Sequence, residues 1–260
     1  MRLAYFSPLN PQRSAVSDYS EGLLPHLSAG AEIDLFVDGF EPSGAGVRGR
    51  FPCFDYRADP SRLERLKDYD AVVYHVADDH LHHAGIYEAA RAFPGVVVLH
   101  DFALQTFFLN LALSRGDANV YLDELGLCHG ARARAQAARS LAAGSVPSFY
   151  ARPEEFPLNC RLARQAEGLV VQSERSREVL ARVAPATPCA LIDRRAGPAE
   201  RQAAAYLAFL REIVARRGRD RFVRGVSHEL ARCGFRESDS RLLRGVASEL
   251  ARVAPARPFD

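Results

Sequence analysis

The 260 residues predict an α/β fold, a doubly wound parallel sheet followed by an all-helical appendage. Three observations carry that prediction. Short apolar runs of strand length alternate with helical patterns as far as Ile192, the alternation expected when helices cover a parallel sheet on both faces. The runs are apolar at nearly every position rather than every second one, as strands buried on both faces require. Beyond Ile192 only helical periodicity continues.

The first strand is RLAYF (2–6), and a loop dense in Ser, Pro and Asn leads to a helical period through Tyr19, Leu23 and Leu24. Ser17 or Asp18 is the expected helix cap. A strand, a loop of small residues and a helix N-terminus together make an anion site in principle, although Ser14-Ala15-Val16 lacks the glycines of a dinucleotide loop. IDLFV (33–37) is the second strand, FPCFDYR (51–57) a short edge strand, 61–68 a helix and AVVYH (71–75) a stronger strand. His75, Asp78, Asp79, His80, His82 and His83 crowd together, which invites a metal reading. The spacing completes no HExxH pattern, and polar residues lining a cleft at a helix start are the simpler reading.

The chain is aimed at VVVLHD (96–101). Its apolar part has the length of a buried parallel strand, and it ends on His100 and Asp101, where ligands of open α/β sheets bind. A pair that merely caps the next helix is the alternative. Helices are expected over 102–115, with a break at Gly116, and over 118–144, with Val120, Leu122, Leu125 and Cys128 as the buried stripe. Another helix starts near Asn159, a strand runs over 168–171, Gln172-Ser173 opens a further helix, and CALI (189–192) is the last strand. In the tail, Tyr206, Leu207, Leu210, Ile213 and Val214 form one stripe, and RFVRGVSHELARC (221–233) repeats as RLLRGVASELARV (241–253) with eight of thirteen positions identical. Two copies are too few for a solenoid, so a helical pair packed on the sheet domain is expected.

Composition excludes several classes. Hydrophobic residues at 48% and charged residues at 25% allow a full core, and the absence of a long apolar run or leader leads to the expectation of a cytoplasmic protein without a membrane span. Five scattered cysteines without CxxC spacing are expected to be reduced thiols, Cys189 in the core. Only one of the 34 basic residues, Lys67, is a lysine, and it sits in a charged helical segment, so neither a Walker phosphate lysine nor a Schiff base is expected. Residues 1–193 carry 19 basic and 24 acidic groups and 194–260 carry 15 and 8, a tail of opposite sign to the body. Interleaved acids and the lack of an aromatic platform argue against nucleic acid as the partner.

Four segments, AYFSPLNPQRSAVSDYSEGLLPHL, DAVVYHVADDHLHHAGIY, FPGVVVLHDFAL and FPLNCRLARQAEGLVVQSERSREVL, resemble in order the N-terminal half of a GT-B glycosyltransferase of the retaining family four type. The resemblance spans most of 2–192 and implies a Rossmann-like domain over 1–193 that holds the acceptor, with a helical appendage over 194–260. It implies a nucleotide-sugar donor as co-substrate, no metal and no other cofactor. It places Ser14 and Ala15 toward the donor phosphates, with Ala15 where the family has glycine, and His100 near the reacting sugar beside Asp101. Asp78 stands where relatives carry Asn, and Ser173 where they carry the Ser that starts a helix. Asp18, Tyr19, His75 and Asn159 complete the expected substrate-binding set. After CALID a full enzyme continues into a second β-α domain with a Gly-rich loop and a glutamate pair, which residues 194–260 lack; Glu229 and Glu237 have the separation but flank Gly234. The expected function is therefore the acceptor-side half of a retaining, nucleotide-sugar-dependent transfer site, with a sugar or glycan acceptor, a companion chain supplying the donor half, and little or no turnover alone. A non-catalytic glycan-binding or partner protein of the same descent is the rival, and a metal-dependent hydrolase built on the His75–His83 cluster is a third class.

Overall fold

The computed structural model describes residues 1–195 and 197–232, with side chains as far as residue 219. Seven strands form one all-parallel sheet in the order β3-β2-β1-β4-β5-β6-β7: β1 Arg2–Phe6, β2 Glu32–Val37, β3 Cys53–Asp55, β4 Ala71–Val76, β5 Val96–Leu99, β6 Gly168–Val171 and β7 Cys189–Leu191. The helices are α1 Ala15–Leu27, α2 His80–Ala92, α3 Gln105–Arg115, α4 Asn119–Ala142, α5 Cys160–Gln165, α6 Glu174–Val183 and α7 Ala199–Arg232. This is the Rossmann-like α/β architecture with a C-terminal helix. The chain divides into two compact units, Met1–Leu207 and a second that begins at Ala208.

Side chains alternate across the sheet and so divide the core in two. Ala4, Phe6, Tyr74, Val76, Val97, Leu99, Leu169 and Val171 point to one face and join a cluster with Ile86, Phe107, Phe108, Tyr121 and Leu162 from α2 to α5. Their neighbours Leu3, Tyr5, Val73, His75, Val96, Val98 and Val170 are equally buried on the opposite face. There Tyr5 meets α1 through its hydroxyl, which donates to Ser20 Oγ at 3.2 Å. Central strands closed off on both sides explain the unbroken apolar runs.

Several elements differ from expectation. The 61–68 segment is a 3-10 helix, Pro60–Asp68. Within α4, Gly130 adopts φ 86°, open to glycine at little cost, and kinks the helix there. The buried stripe before the kink is Tyr121, Leu122, Glu124 and Leu125, while Val120 and Cys128 are half-buried. The tail stripe and residues 221–232 of the first repeat copy lie in α7, and Cys233 lies outside the described residues. The second copy (241–253) and Glu237 lie outside the described residues. No helix among the described residues is long and apolar enough to cross a membrane.

The largest correction concerns the cysteines. Cys128 and Cys160 are joined by a disulfide, with Cα atoms 5.7 Å apart across a sequence separation of 32. Packing of α4 against α5 brings them together, a tertiary fact that spacing patterns do not encode. Cys53 is exposed, and Cys189 is half-buried and packs against the core cluster.

Replacing Cys128 by Ser should lower the stability of the oxidised protein by about 2 to 4 kcal/mol, the usual value for closing a loop of this size. Urea unfolding with and without reductant checks this: reductant should destabilise the parent protein to the level of the variant and leave the variant unchanged.

Candidate functional site

All strands run the same way, so the ends of β1, β4, β5 and β6 open onto one edge. The winding reverses between β1 and β4, the crevice where open α/β sheets take ligands. β4 delivers His75 next to its end, and β5 ends at Leu99, so His100 and Asp101 stand just beyond the strand. His100 is held there by its own N–H, which donates to Val76 O at 2.9 Å.

The two histidines meet. His75 Nδ1 and His100 Nε2 are 2.8 Å apart, one ring donating to the other, and the rings stack with centroids at 5.1 Å. The rings of Tyr19 from α1 and Tyr5 from β1 flank them, Tyr19 edge-on to His100 at 5.3 Å and Tyr5 4.7 Å from His75. The Tyr19 hydroxyl donates to that of Tyr206 at 3.2 Å. From α2, His83 Nδ1–H donates to the His75 carbonyl at 2.9 Å. The far nitrogens, His75 Nε2 and His100 Nδ1, are buried without a partner among the described residues.

Burial dominates the protonation of the pair. It holds His75 well below the ordinary imidazole value, reinforced by His100 and His83. Burial, then His83 and the Arg194 guanidinium, lower His100 to about 3. Both rings are therefore neutral near pH 7, and His100 acts there as a hydrogen-bonding group rather than as a charged acid.

Asp78 and Asp101 lace the two loops together. Asp101 Oδ2 accepts the Asp78 N–H at 2.9 Å, and Asp78 Oδ1 accepts the Phe107 N–H at 2.6 Å. Leu104, at the α3 cap position, has no side chain able to cap, so Asp78 caps the helix from the neighbouring loop. Burial raises the Asp78 carboxyl, and the bonds from Phe107 and Thr106 oppose that rise. The capping alternative for Asp101 thus applies to Asp78.

Asn159 opens α5 but does not cap it; its Nδ2 donates to Phe102 O at 2.7 Å. Beside it, Leu104 N–H donates to Pro157 O at 2.7 Å, and Leu158 is fully buried with φ 55°. A branched residue rarely takes that left-handed geometry, and the packing and bonds on either side hold it there. The Phe102–Leu104 corner after Asp101 is thereby fixed from a segment more than fifty residues away.

The other expected residues have local roles. Ser14, not Ser17 or Asp18, caps α1, its Oγ accepting the Ser17 N–H at 3.0 Å. Ser17 instead donates its hydroxyl to Gln12 O. Ala15 and Asp18 are exposed on the first turn. Ser173 caps α6, accepting the Ser176 N–H at 3.2 Å, and lines a cleft of about 530 Å³ with His100, Asp101, Phe102, Gln172 and Arg175. The His75–His83 cluster disperses: His75 turns to His100, His83 to a backbone carbonyl and His82 to Asp79. Among the described residues the one set of candidate metal ligands that converges is Glu124, Cys128 and Cys160, whose sulfurs form the disulfide.

No protein-family model matches the chain, and no curated protein matches it. Among solved structures it is similar to a sucrose-phosphate synthase from Thermosynechococcus elongatus, at 14% identity and a TM-score of 0.40, over 82% of this chain and 99% of that one.

Sequence reasoning missed Gln172 and Arg194. Gln172 Oε1 accepts the Arg194 N–H at 2.9 Å and so ties the segment after β7 to the cleft. The available signal was position, since both residues follow strand ends.

The depressed His100 pKa makes stability depend on pH. Between the ordinary value of 6.5 and about 3, the unfolded chain binds a proton at His100 that the folded chain does not. Stability is therefore complete above that window and falls as pH drops through it, by about 2 kcal/mol at pH 5 from this residue alone. Urea unfolding at pH 7 and pH 5 should show His100→Asn losing that much less than the parent protein.

Proposed function

We propose that the chain is the acceptor-side half of a retaining, nucleotide-sugar-dependent glycosyl-transfer site, with the Rossmann-like domain at 1–193 and a helical appendage at 194–260. The observation that carries this reading is the neutral His100, just beyond the end of β5, backed by His75 and one of the residues that line the cleft. The ordered resemblance of four segments to the N-terminal half of a retaining GT-B enzyme supports it.

The chemistry fits a contact role. A neutral imidazole can hydrogen-bond a sugar or acceptor hydroxyl without placing a positive charge beside an oxocarbenium-like centre. Retaining transfer of this kind depends on stabilising that centre and the departing diphosphate together. This reading leaves the second task to a donor half on a companion chain, and turnover by this chain alone is little or none. A non-catalytic glycan-binding or partner protein is the second reading, favoured by Ala15, whose methyl group stands where close approach of a phosphate to the backbone would need glycine.

Saturation-transfer NMR against a panel of neutral mono- and disaccharides, with calorimetric titration of UDP- and GDP-sugars, tests the proposal. Sugar contacts that vanish in His100→Ala, with no heat from the nucleotides, are expected. Micromolar nucleotide-sugar binding weakened by His100→Ala would mean a complete donor pocket and sink the half-site reading, and no contact with any sugar would sink the acceptor reading.

A further inference from the structure

Between the disulfide and the wall of the cleft lies one short segment, 156–160. Cys160 is the first residue of α5, and its partner Cys128 sits in α4, two residues before the kink at Gly130. The residues just ahead of Cys160 hold the cleft. Asn159 Nδ2 donates to Phe102 O at 2.7 Å, Pro157 O accepts the Leu104 N–H at 2.7 Å, and Phe156 O accepts from Gln105 Nε2 at 2.5 Å. Phe102 lines the cleft beside His100 and Asp101. The corner that follows Asp101 therefore rests on a segment whose next residue is a disulfide cysteine.

Within that segment Leu158 is fully buried at φ 55°. Left-handed backbone at a residue other than glycine is costly and persists only where its surroundings over-determine it. The covalent bond at Cys160, two residues on, is one such determinant. The far end of α5 is fixed independently: Thr187 Oγ1 donates to Ala163 O at 3.0 Å, and Arg164 Nε donates to Val183 O at 3.2 Å. Arg161 Nε donates to the buried Glu124 Oε2 at 2.6 Å and keeps α5 on α4 without the sulfurs. Breaking the disulfide thus frees the start of α5 while the helix stays docked.

We propose that the Cys128–Cys160 bond is a thiol–disulfide exchange site for dithiols, and that its reduction releases residues 157–159 from the wall of the cleft at 102–104. Cys128 is half-buried and Cys160 is buried, so the attacking thiolate reaches Cys128 Sγ. The S–S bond breaks, Cys160 leaves as a thiolate, and a mixed disulfide joins the reductant to Cys128. The second thiol of the reductant then closes its own disulfide and expels Cys128. Two electrons and two protons pass from the dithiol to the two cysteines. Reduction gives Leu158 a route out of its left-handed geometry, and the bonds of Pro157 O and Asn159 Nδ2 to the corner weaken with it. The wall is firm in the oxidised protein and loose in the reduced one, whichever ligand the cleft takes.

The test is hydrogen exchange of the full chain, oxidised and after dithiothreitol, with thiols counted by alkylation and mass under native conditions. The Leu104 and Ala163 N–H groups donate to Pro157 O and Asn159 O, whereas those of Leu35 and Ile192 donate to Pro52 O and Val171 O, away from the segment. Expected are two more alkylatable thiols after the reductant, one from each half of the disulfide. Exchange at Leu104 and Ala163 should accelerate about tenfold or more beyond any change at Leu35 and Ile192, the mark of a local opening. Cys128→Ser should exchange like the reduced parent protein and ignore the reductant. No gain of thiols in the folded protein overturns the exchange site. Unchanged exchange at Leu104, equal acceleration at all four amides, or a reductant effect that persists in Cys128→Ser overturns the coupling to the cleft.

Discussion

Strands β4 and β5 pair in parallel with His75 opposite Val98 and Val76 opposite Leu99. His100 follows Leu99 and is two residues from Val98, so it falls on the same face of the sheet as His75 and one step further along. That register makes the 2.8 Å contact between the imidazoles possible. A slip of one residue would carry one ring to the opposite face, where an apolar cluster offers it nothing. The lacing of Asp78 and Asp101 across the same two strand ends depends on the same pairing, and so does the start of α3, which Asp78 caps.

The pair also constrains what the site can do. Two imidazoles in this setting share one hydrogen bond and are buried, so charging either costs desolvation and repulsion from its neighbours. Both rings are therefore neutral near pH 7, and His100 is a hydrogen-bonding group there, not a charged one. The nitrogens at the two ends, without a partner among the described residues, cost stability where they stay unfilled. Helix α1 closes the other side through Tyr19, and Tyr206 at the start of α7 holds the Tyr19 hydroxyl. The first turns of α7 thus belong to the setting of the site, although they follow the last strand.

Much of this was legible in the chain. Six of the seven strands were visible as apolar runs and β3 as a short edge strand, and His100 and Asp101 could be placed just beyond a strand end from their position. Their partners were harder to read. Ser14 rather than Ser17 as the cap of α1 is a matter of one turn of helix. Asp78 as the cap of α3 needs two loops to meet, and Asn159 as the support of Phe102 needs a contact across 57 residues.

The sequence alone determined the architecture, because the alternation of apolar strands with amphipathic helices is a local property that each segment carries with it. It also determined which edge of the sheet carries the polar residues, since that follows from strand direction. Tertiary structure decided the pairing of His75 with His100, the dispersal of the His75–His83 cluster, the Cys128–Cys160 disulfide and the place of Arg194. Each depends on the distance between groups far apart in the chain, and only packing of the sheet and helices sets that distance.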